Sequence, residues 1–106
     1  MKEPRWKRWE VMLLVDMYFN VANNNLNVEE ECLKLSHFLR ESNRDISISD
    51  CFYRNVRGVM MKYQNIRAVD TGRGLQNCSK LDKEIVTYFL EDNERFQHEL
   101  KNILNV

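Results

Sequence analysis

The sequence predicts an all-α fold, a compact bundle of about five helices in a single domain over residues 1–106. Three observations lead to this prediction. The 106 residues include only one proline and three glycines, so few positions interrupt a helix. No segment alternates apolar and polar residues with the period of a strand. Apolar residues make up 43% of the chain and recur three and four positions apart, as on the buried face of a helix.

The first half of the chain contains two predicted helices. The first covers roughly residues 6–21 and is apolar nearly all round, so we expect it to be the central, most buried helix. The asparagine-rich stretch "NNNLN" ends it. Asn27 then caps the second helix, with Glu30 as its capping-box partner. The spacing of 4, 3 and 4 predicts one buried face for this helix, formed by Val28, Cys32, Leu35 and Leu39.

Three more helices are predicted after the polar linker "ESNRDISISD". The third covers about residues 55–69, with Val59, Tyr63 and Ile66 as its inner stripe. The irregular stretch "DTGRGLQNCS" follows, and Ser79 then caps the fourth helix. Asp92 caps the fifth. The residues expected to face inward from these last two helices are Leu81, Ile85, Tyr88, Phe89, Phe96, Leu100 and Ile103.

Several classes of function lack the residues they need. The three cysteines, Cys32, Cys51 and Cys78, are widely spaced and odd in number, which argues against a disulfide framework and against zinc. His37 and His98 do not have the spacing of metal ligands or of a catalytic pair. We therefore expect no catalytic residues, no metal and no cofactor. No apolar run approaches the roughly 18 residues of a membrane span, so a cytoplasmic location is expected.

Positive charge is concentrated in one part of a chain that is neutral overall. Residues 52–80 carry six basic groups and one acidic group, a net charge of +5, whereas residues 1–51 carry −2 and residues 81–106 carry −3. We expect a continuous positive face on the third helix and the loop after it. Asn55, Lys62 and Asn65 are expected on an outer stripe, with Arg54 and Arg57 at the helix start.

Arginine, lysine and asparagine in this arrangement suit DNA. Arginine pairs with guanine and phosphate, asparagine pairs with adenine, and the open amides of a helix start attract phosphate. The hypothesis is that the third helix is a helix-turn-helix or Myb-like recognition helix that binds double-stranded DNA. The candidate DNA-binding residues are Arg54, Asn55, Arg57, Lys62, Asn65, Arg67, Arg73 and Lys80.

Two alternatives to DNA binding stay open. A run of basic residues is often an ordinary solvated helix face. Alternatively, the chain is a protein–protein interaction or dimerisation module that makes no DNA contact. Its basic face would then dock an acidic partner, or the chain would form a homodimer. DNA binding should weaken steeply and log-linearly with salt and survive a change of protein partner, which separates it from the interaction module.

A series of short motifs resembles a known family. "FYRNVRGVMMKYQNIRAVD" is followed by "GRGLQNCSKLDKEIVTYFLEDNERF", and before them stand "WKRWEVMLLVDMYF" and "LSHFLR". In this order they resemble the amino-terminal domain that precedes the nuclease domain of many bacterial HNH-type restriction endonucleases. The residues that carry the central part of the resemblance are Arg54, Asn55, Gly58, Val59, Met61, Lys62, Asn65, Gly74, Leu75, Ser79, Lys80, Leu81 and Asp82.

The resemblance implies the DNA-targeting part of a restriction or phage-defence endonuclease, including recognition of a modified base. A fused or associated HNH nuclease domain would be its partner. The chain departs from the family pattern at Val56, where proline is common, and at Tyr63, where leucine is common. The histidine and the metal ligands of an HNH site are also missing, so we expect no catalysis by this chain.

Overall fold

A computed structural model of the chain describes residues 5–73 and 79–104. These residues form six helices and no strand, so the predicted all-α class is confirmed. Gly74, Leu75 and Cys78, which the sequence analysis used, lie outside the described residues. The helices are α1 (Arg8–Asn24), α2 (Val28–Ser42), α3 (Arg44–Ser49), α4 (Val56–Thr71), α5 (Lys80–Glu91) and α6 (Asn93–Leu104).

Helix α1 is the centre of the bundle, as its apolar sequence predicts. It packs against α2, α4, α5 and α6. Every residue from Glu10 to Val15 is buried, and Met17, Tyr18 and Val21 continue the buried surface. The helix ends at Asn25, which has a left-handed φ of 52° and whose amide donates to the Val21 carbonyl. Asparagine tolerates this conformation, so the "NNNLN" stretch ends the helix as expected.

Helices α2 and α4 pack side by side. Asn27 caps α2 by accepting from the Glu30 amide at 2.9 Å, and Cys32, Leu35 and Leu39 are buried as predicted. The predicted inner stripe of the third helix is confirmed in α4, whose buried residues include Val59, Tyr63 and Ile66. Helix α4 also contacts α1 and α5, so only one of its sides is left for solvent.

Helices α5 and α6 close the bundle on the other side of α1. Ser79 accepts from the Asp82 amide at 3.0 Å, and the Asp82 carboxylate accepts from the Ser79 amide at 3.2 Å, which completes a capping box. The amide of Arg95 donates to the Asp92 carboxylate at 3.4 Å, so both predicted caps are present. Phe89 stacks on Phe19 at 4.3 Å between ring centroids, and this joins α5 to α1.

The stretch predicted to be a polar linker contains a short helix instead. Residues 41 and 42 complete α2, and α3 follows after a single residue. The hydroxyl groups of Ser47 and Ser49 donate to carbonyls three residues back, at 3.0 and 3.1 Å, so the polar side chains satisfy the helix backbone. Helix α3 packs against α2 and against no other described helix. Helix α3 therefore does not form a packed pair with α4.

None of the described helices is both long enough and apolar enough to span a bilayer.

Candidate nucleic-acid interface

Arg54 was predicted at the surface, but it is completely buried. Its Nε and Nη2 donate to the two carboxylate oxygens of Glu10 at 3.2 and 3.0 Å, and Glu10 is also fully buried. Nη2 donates in addition to the Arg5 carbonyl at 3.0 Å. The predicted place of Arg54 on an exposed positive face is therefore wrong, because its guanidinium is bound inside the protein.

The surroundings of Arg54 explain how a buried charge is tolerated. The guanidinium lies 4.5 Å from the ring centroid of Trp6 and 4.7 Å from that of Tyr53. Glu10 also accepts from the Lys7 amide at 2.8 Å. The ion pair thus has hydrogen bonds and aromatic faces in place of water, which offset much of its desolvation cost. Arg54 has a positive φ of 48°, unusual for a residue with a side chain.

Two side chains of α2 fix the turn that carries Arg54. The Ser36 hydroxyl donates to the Arg54 carbonyl at 2.7 Å. Arg40, one helical turn further on, donates to the carbonyls of Ser47 at 3.1 Å and Cys51 at 3.2 Å, and also to that of Tyr53. These bonds satisfy backbone carbonyl groups that have no hydrogen-bond partner within a helix, and they fix the turn from which α4 begins.

Lys62 and Asn55 are also bound within the protein. The Lys62 ammonium lies 2.9 Å from a carboxylate oxygen of Asp82, which is completely buried in the first turn of α5, and Lys62 is 14% exposed. The side chain of Asn55 accepts from the Gly58 amide at 2.8 Å as the N-cap of α4. The structure therefore uses Asn55 as a cap and Lys62 as a tie between α4 and α5. The prediction that they line an outer stripe is wrong.

The outer surface of α4 contains a different set of residues. Arg57, Met61 and Gln64 follow one another at spacings of four and three and are all exposed, and Arg67 is exposed one turn later. Asn65 is half-buried, so it lies toward the side that Lys62 occupies. The predicted outer stripe is rotated about a third of a helical turn toward α5 relative to the observed one. The prediction exposed Lys62 and Asn65, whereas the structure exposes Met61 and Gln64.

Four of the eight predicted residues are exposed cations: Arg57, Arg67, Arg73 and Lys80. None of them forms an ion pair with any residue within 5–73 or 79–104. Asp70 is the only acid in residues 52–80, and its carboxylate accepts from the Tyr18 hydroxyl at 2.7 Å. Burial and this hydrogen bond raise the pKa of Tyr18, so the phenol remains a neutral donor at ordinary pH. In the described part of the chain, the Asp70 carboxylate is thus bonded to Tyr18 and to none of these cations.

The sequence analysis missed the partners of the buried cations. Glu10 is the one acid on the face of α1 that Leu14, Met17 and Val21 share, and a lone acid on a buried face requires a buried cation. That signal could have identified the pairing with Arg54. Ser36 and Arg40 lie in "LSHFLR", and Asp82 also belongs to the motif resemblance, but these motifs do not indicate which groups the three side chains bind.

Within the described part of the chain, no group of three or more histidine, cysteine, aspartate or glutamate side chains is placed to hold a metal ion. The exposed side chains of α4 offer cations and an amide, which are groups that can form charge contacts and hydrogen bonds.

Comparison of the chain with known protein families, with curated proteins and with solved structures finds no match.

Proposed function

We propose that this chain binds double-stranded DNA through the exposed face of α4. Arg57 and Arg67 contact phosphates or guanine, and Gln64 between them reads a base edge, for which a side-chain amide pairs best with adenine. Arg73 and Lys80, which flank the loop after α4, add phosphate contacts. This set replaces the eight residues predicted from the sequence, because Arg54, Asn55 and Lys62 have partners inside the protein.

The observation that carries the proposal is the exposed face of α4, on which Arg57 and Arg67 flank Gln64 and form no ion pair with any described residue. Among the other exposed basic residues of the described chain, Lys34 pairs with Glu31 and Arg8 with Glu99, whereas Arg44 and Arg95, for example, also form no ion pair with a described residue. The shared helix face, and not the missing ion pair alone, therefore distinguishes Arg57 and Arg67. Arg57 and Arg67 lie about 15 Å apart along the helix, at 1.5 Å per residue. A polyanion that crosses α4 can contact both of them.

The biological context is the finer part of the proposal. Helix α4 acts as the recognition helix in a manner related to helix-turn-helix or Myb-like proteins, although α3 does not pack on it. The motif resemblance supports a role as the targeting domain of an HNH-type restriction or phage-defence endonuclease that senses a modified base. The proposal implies a cytoplasmic location and a nuclease domain, fused or associated, as the partner that cleaves. This chain itself is proposed to be non-catalytic.

The test is a titration of the purified chain with mixed-sequence duplex DNA at several salt concentrations. If the four unpaired cations each neutralise one phosphate, the plot of log K against log salt has a slope of about −3.6, at about −0.9 per contact. If Arg54 and Lys62 also reached phosphate, the slope would be about −5.4. Arg57→Ala and Arg67→Ala should each reduce the slope by about one unit.

Arg95→Ala is the matched control, because Arg95 is an exposed arginine on α6 and lies outside the proposed surface. It should leave both affinity and slope unchanged. Binding that does not depend on salt, or an Arg95→Ala effect as large as that of Arg57→Ala, would refute the proposed surface.

A protein–protein interaction or dimerisation module is the second candidate, and one observation favours it. Ile48 and Phe52 are 73% and 72% exposed although they lie only four residues apart. The Phe52 amide donates to the Asp50 carboxylate at 2.9 Å, so the turn fixes the backbone from which this exposed side chain extends. If this candidate is correct, sedimentation equilibrium of the pure chain will show a dimer that Phe52→Ser dissociates, and DNA will not compete with it.

A further inference from the structure

Met61 is the only large apolar side chain on the exposed face of α4, all of which the structure describes. It is 60% exposed, whereas Val59, Tyr63 and Ile66 are buried and the remaining large apolar residues of the helix are half-buried. It lies one turn after Arg57 and one turn before Gln64, on the same side of the helix. A single exposed apolar residue is common on protein surfaces, but this one lies between the two polar groups proposed to touch DNA.

The three side chains match the dimensions of the major groove. From Arg57 to Gln64 a helix rises about 10.5 Å at 1.5 Å per residue. Along the duplex this length corresponds to about three base pairs at 3.4 Å each. Met61 would therefore face the middle of a three-base-pair segment. Arg57 and Gln64 would face its ends.

The major groove presents one apolar group, the methyl group at C5 of a pyrimidine. Thymine carries it, and so does 5-methylcytosine. A flexible, polarizable methionine side chain packs on such a group, whereas the polar base edges beside it would leave its sulfur and methyl group without suitable contacts. The class of DNA that fits the exposed face of α4 is therefore one with a C5-methyl pyrimidine at the centre of the contacted segment.

We propose that Met61 packs against the C5 methyl group of a pyrimidine in the major groove and makes this group part of what the chain recognises. The inference rests on the proposed function, since it requires α4 to lie in the groove. It adds the chemical identity of the feature that is read, which the charge of the surface does not specify.

Two pairs of synthetic duplexes test the inference without knowledge of the binding site. An alternating A–T DNA duplex differs from one with deoxyuridine in place of thymidine only in the C5 methyl group. An alternating DNA duplex of guanine and 5-methylcytosine differs from a G–C duplex in the same way. The native chain should bind the methylated member of at least one pair more tightly. The expected ratio is about fourfold per contact, which corresponds to one buried methyl group. The first pair reports on thymine and the second on 5-methylcytosine.

Met61→Ala should abolish this ratio while keeping the salt slope, because the phosphate contacts remain. Leu90→Ala is the matched control, since Leu90 on α5 is also 60% exposed, and it should keep the ratio. If the native chain binds both members of each pair equally, and if this binding depends on salt, the inference is overturned. The proposed function still stands in that case. The inference is also overturned if Met61→Ala instead weakens self-association in sedimentation experiments. Absence of binding to all four duplexes refutes both proposals.

Discussion

At the scale of single residues, some of the charges counted in the sequence lie inside the protein rather than on its surface. Arg54 and Lys62 contribute to the positive segment 52–80, yet Glu10 and Asp82 neutralise both of them inside the protein. Both partners lie outside that segment, on α1 and α5. The residues that carry the motif resemblance at these positions therefore hold helices together, whereas Arg57, which lies between them in the sequence, is exposed.

Replacing Arg54 with alanine should destabilise the fold strongly. The change leaves the Glu10 carboxylate buried without its cation, so the free energy of unfolding should fall by about 3–5 kcal/mol in urea titrations. Arg57→Ala, at an exposed arginine three residues on, should change it by no more than about 0.5 kcal/mol. A double change of Glu10 and Arg54 to methionine should recover most of the loss, because no unpaired charge remains. Equal stability of Arg54→Ala and the native chain would contradict the buried ion pair.

The Cys32 thiol should make the fold sensitive to alkaline pH. Burial, with a smaller effect of Glu31, raises the pKa of Cys32 from the ordinary 9.0 to about 11. Between these values the thiol ionises in the unfolded chain and stays protonated in the folded one. The unfolded state then binds fewer protons, and stability falls as pH rises. Burial also raises the pKa values of Tyr63 and Tyr18, so the loss continues at higher pH.

The measurement is urea unfolding of the native chain and of Cys32→Ala between about pH 8 and pH 11. The variant loses packing at every pH, so the informative quantity is the slope of stability against pH. That slope should be shallower in Cys32→Ala by up to one proton, about 1.4 kcal/mol per pH unit. Cys51→Ala, at an exposed cysteine, should keep the native slope. Identical slopes in all three proteins would show that the Cys32 thiol does not couple to folding.

At the scale of helices, α4 has a bound side and an open side. Its inner stripe packs on α1 and α2, Lys62 ties it to α5, and Asn55 caps its start. Its end is formed by Gly72, which has a left-handed φ of 69° and whose amide donates to the Ala68 carbonyl at 2.8 Å. These contacts determine which residues of α4 reach solvent.

Gly72→Ala tests how much this helix end contributes. A Cβ at Gly72 would meet no atom within 4 Å, so the substitution costs only the strain of a left-handed backbone. We expect the free energy of unfolding to fall by about 1–2 kcal/mol. Gly72→Asn should lose less, since asparagine tolerates this conformation. If alanine proves as stable as glycine in urea titrations, the α4 terminus is not the left-handed cap described.

Helices and caps were predictable from the sequence because they depend on local patterns. The inner stripe of α4 follows from its spacing, and Asn27 and Ser79 signal helix starts by their own chemistry. The outer face was not predictable in the same way, since it depends on which neighbour covers each side. Lys62 looks like a surface lysine until Asp82 is known to lie opposite it. Helix α3 was missed because its residues are typical of a linker.

At the scale of the whole molecule, the neutral chain is electrostatically divided. Four exposed cations, Arg57, Arg67, Arg73 and Lys80, lie on α4 and on either side of the loop that follows it, whereas the sequence from residue 81 to the end carries a net charge of −3. Such a charge distribution favours the exposed side of α4 over the other faces when the molecule approaches a polyanion. The overall pI of about 6.7 therefore does not argue against DNA binding, because one face can be basic while the sum is neutral.

The most direct test of the central claim is an NMR titration of isotope-labelled protein with duplex DNA, which reports each side chain separately. If α4 binds through its exposed face, the Nε signal of Arg57 and the side-chain amide of Gln64 will shift. The Nε signal of buried Arg54 will stay in place, and so will the side-chain amide of Gln97, which donates to Asp16 at 3.1 Å on the α6 side of the bundle. Shifts at Arg54 or Gln97 with Arg57 and Gln64 unchanged would contradict the account.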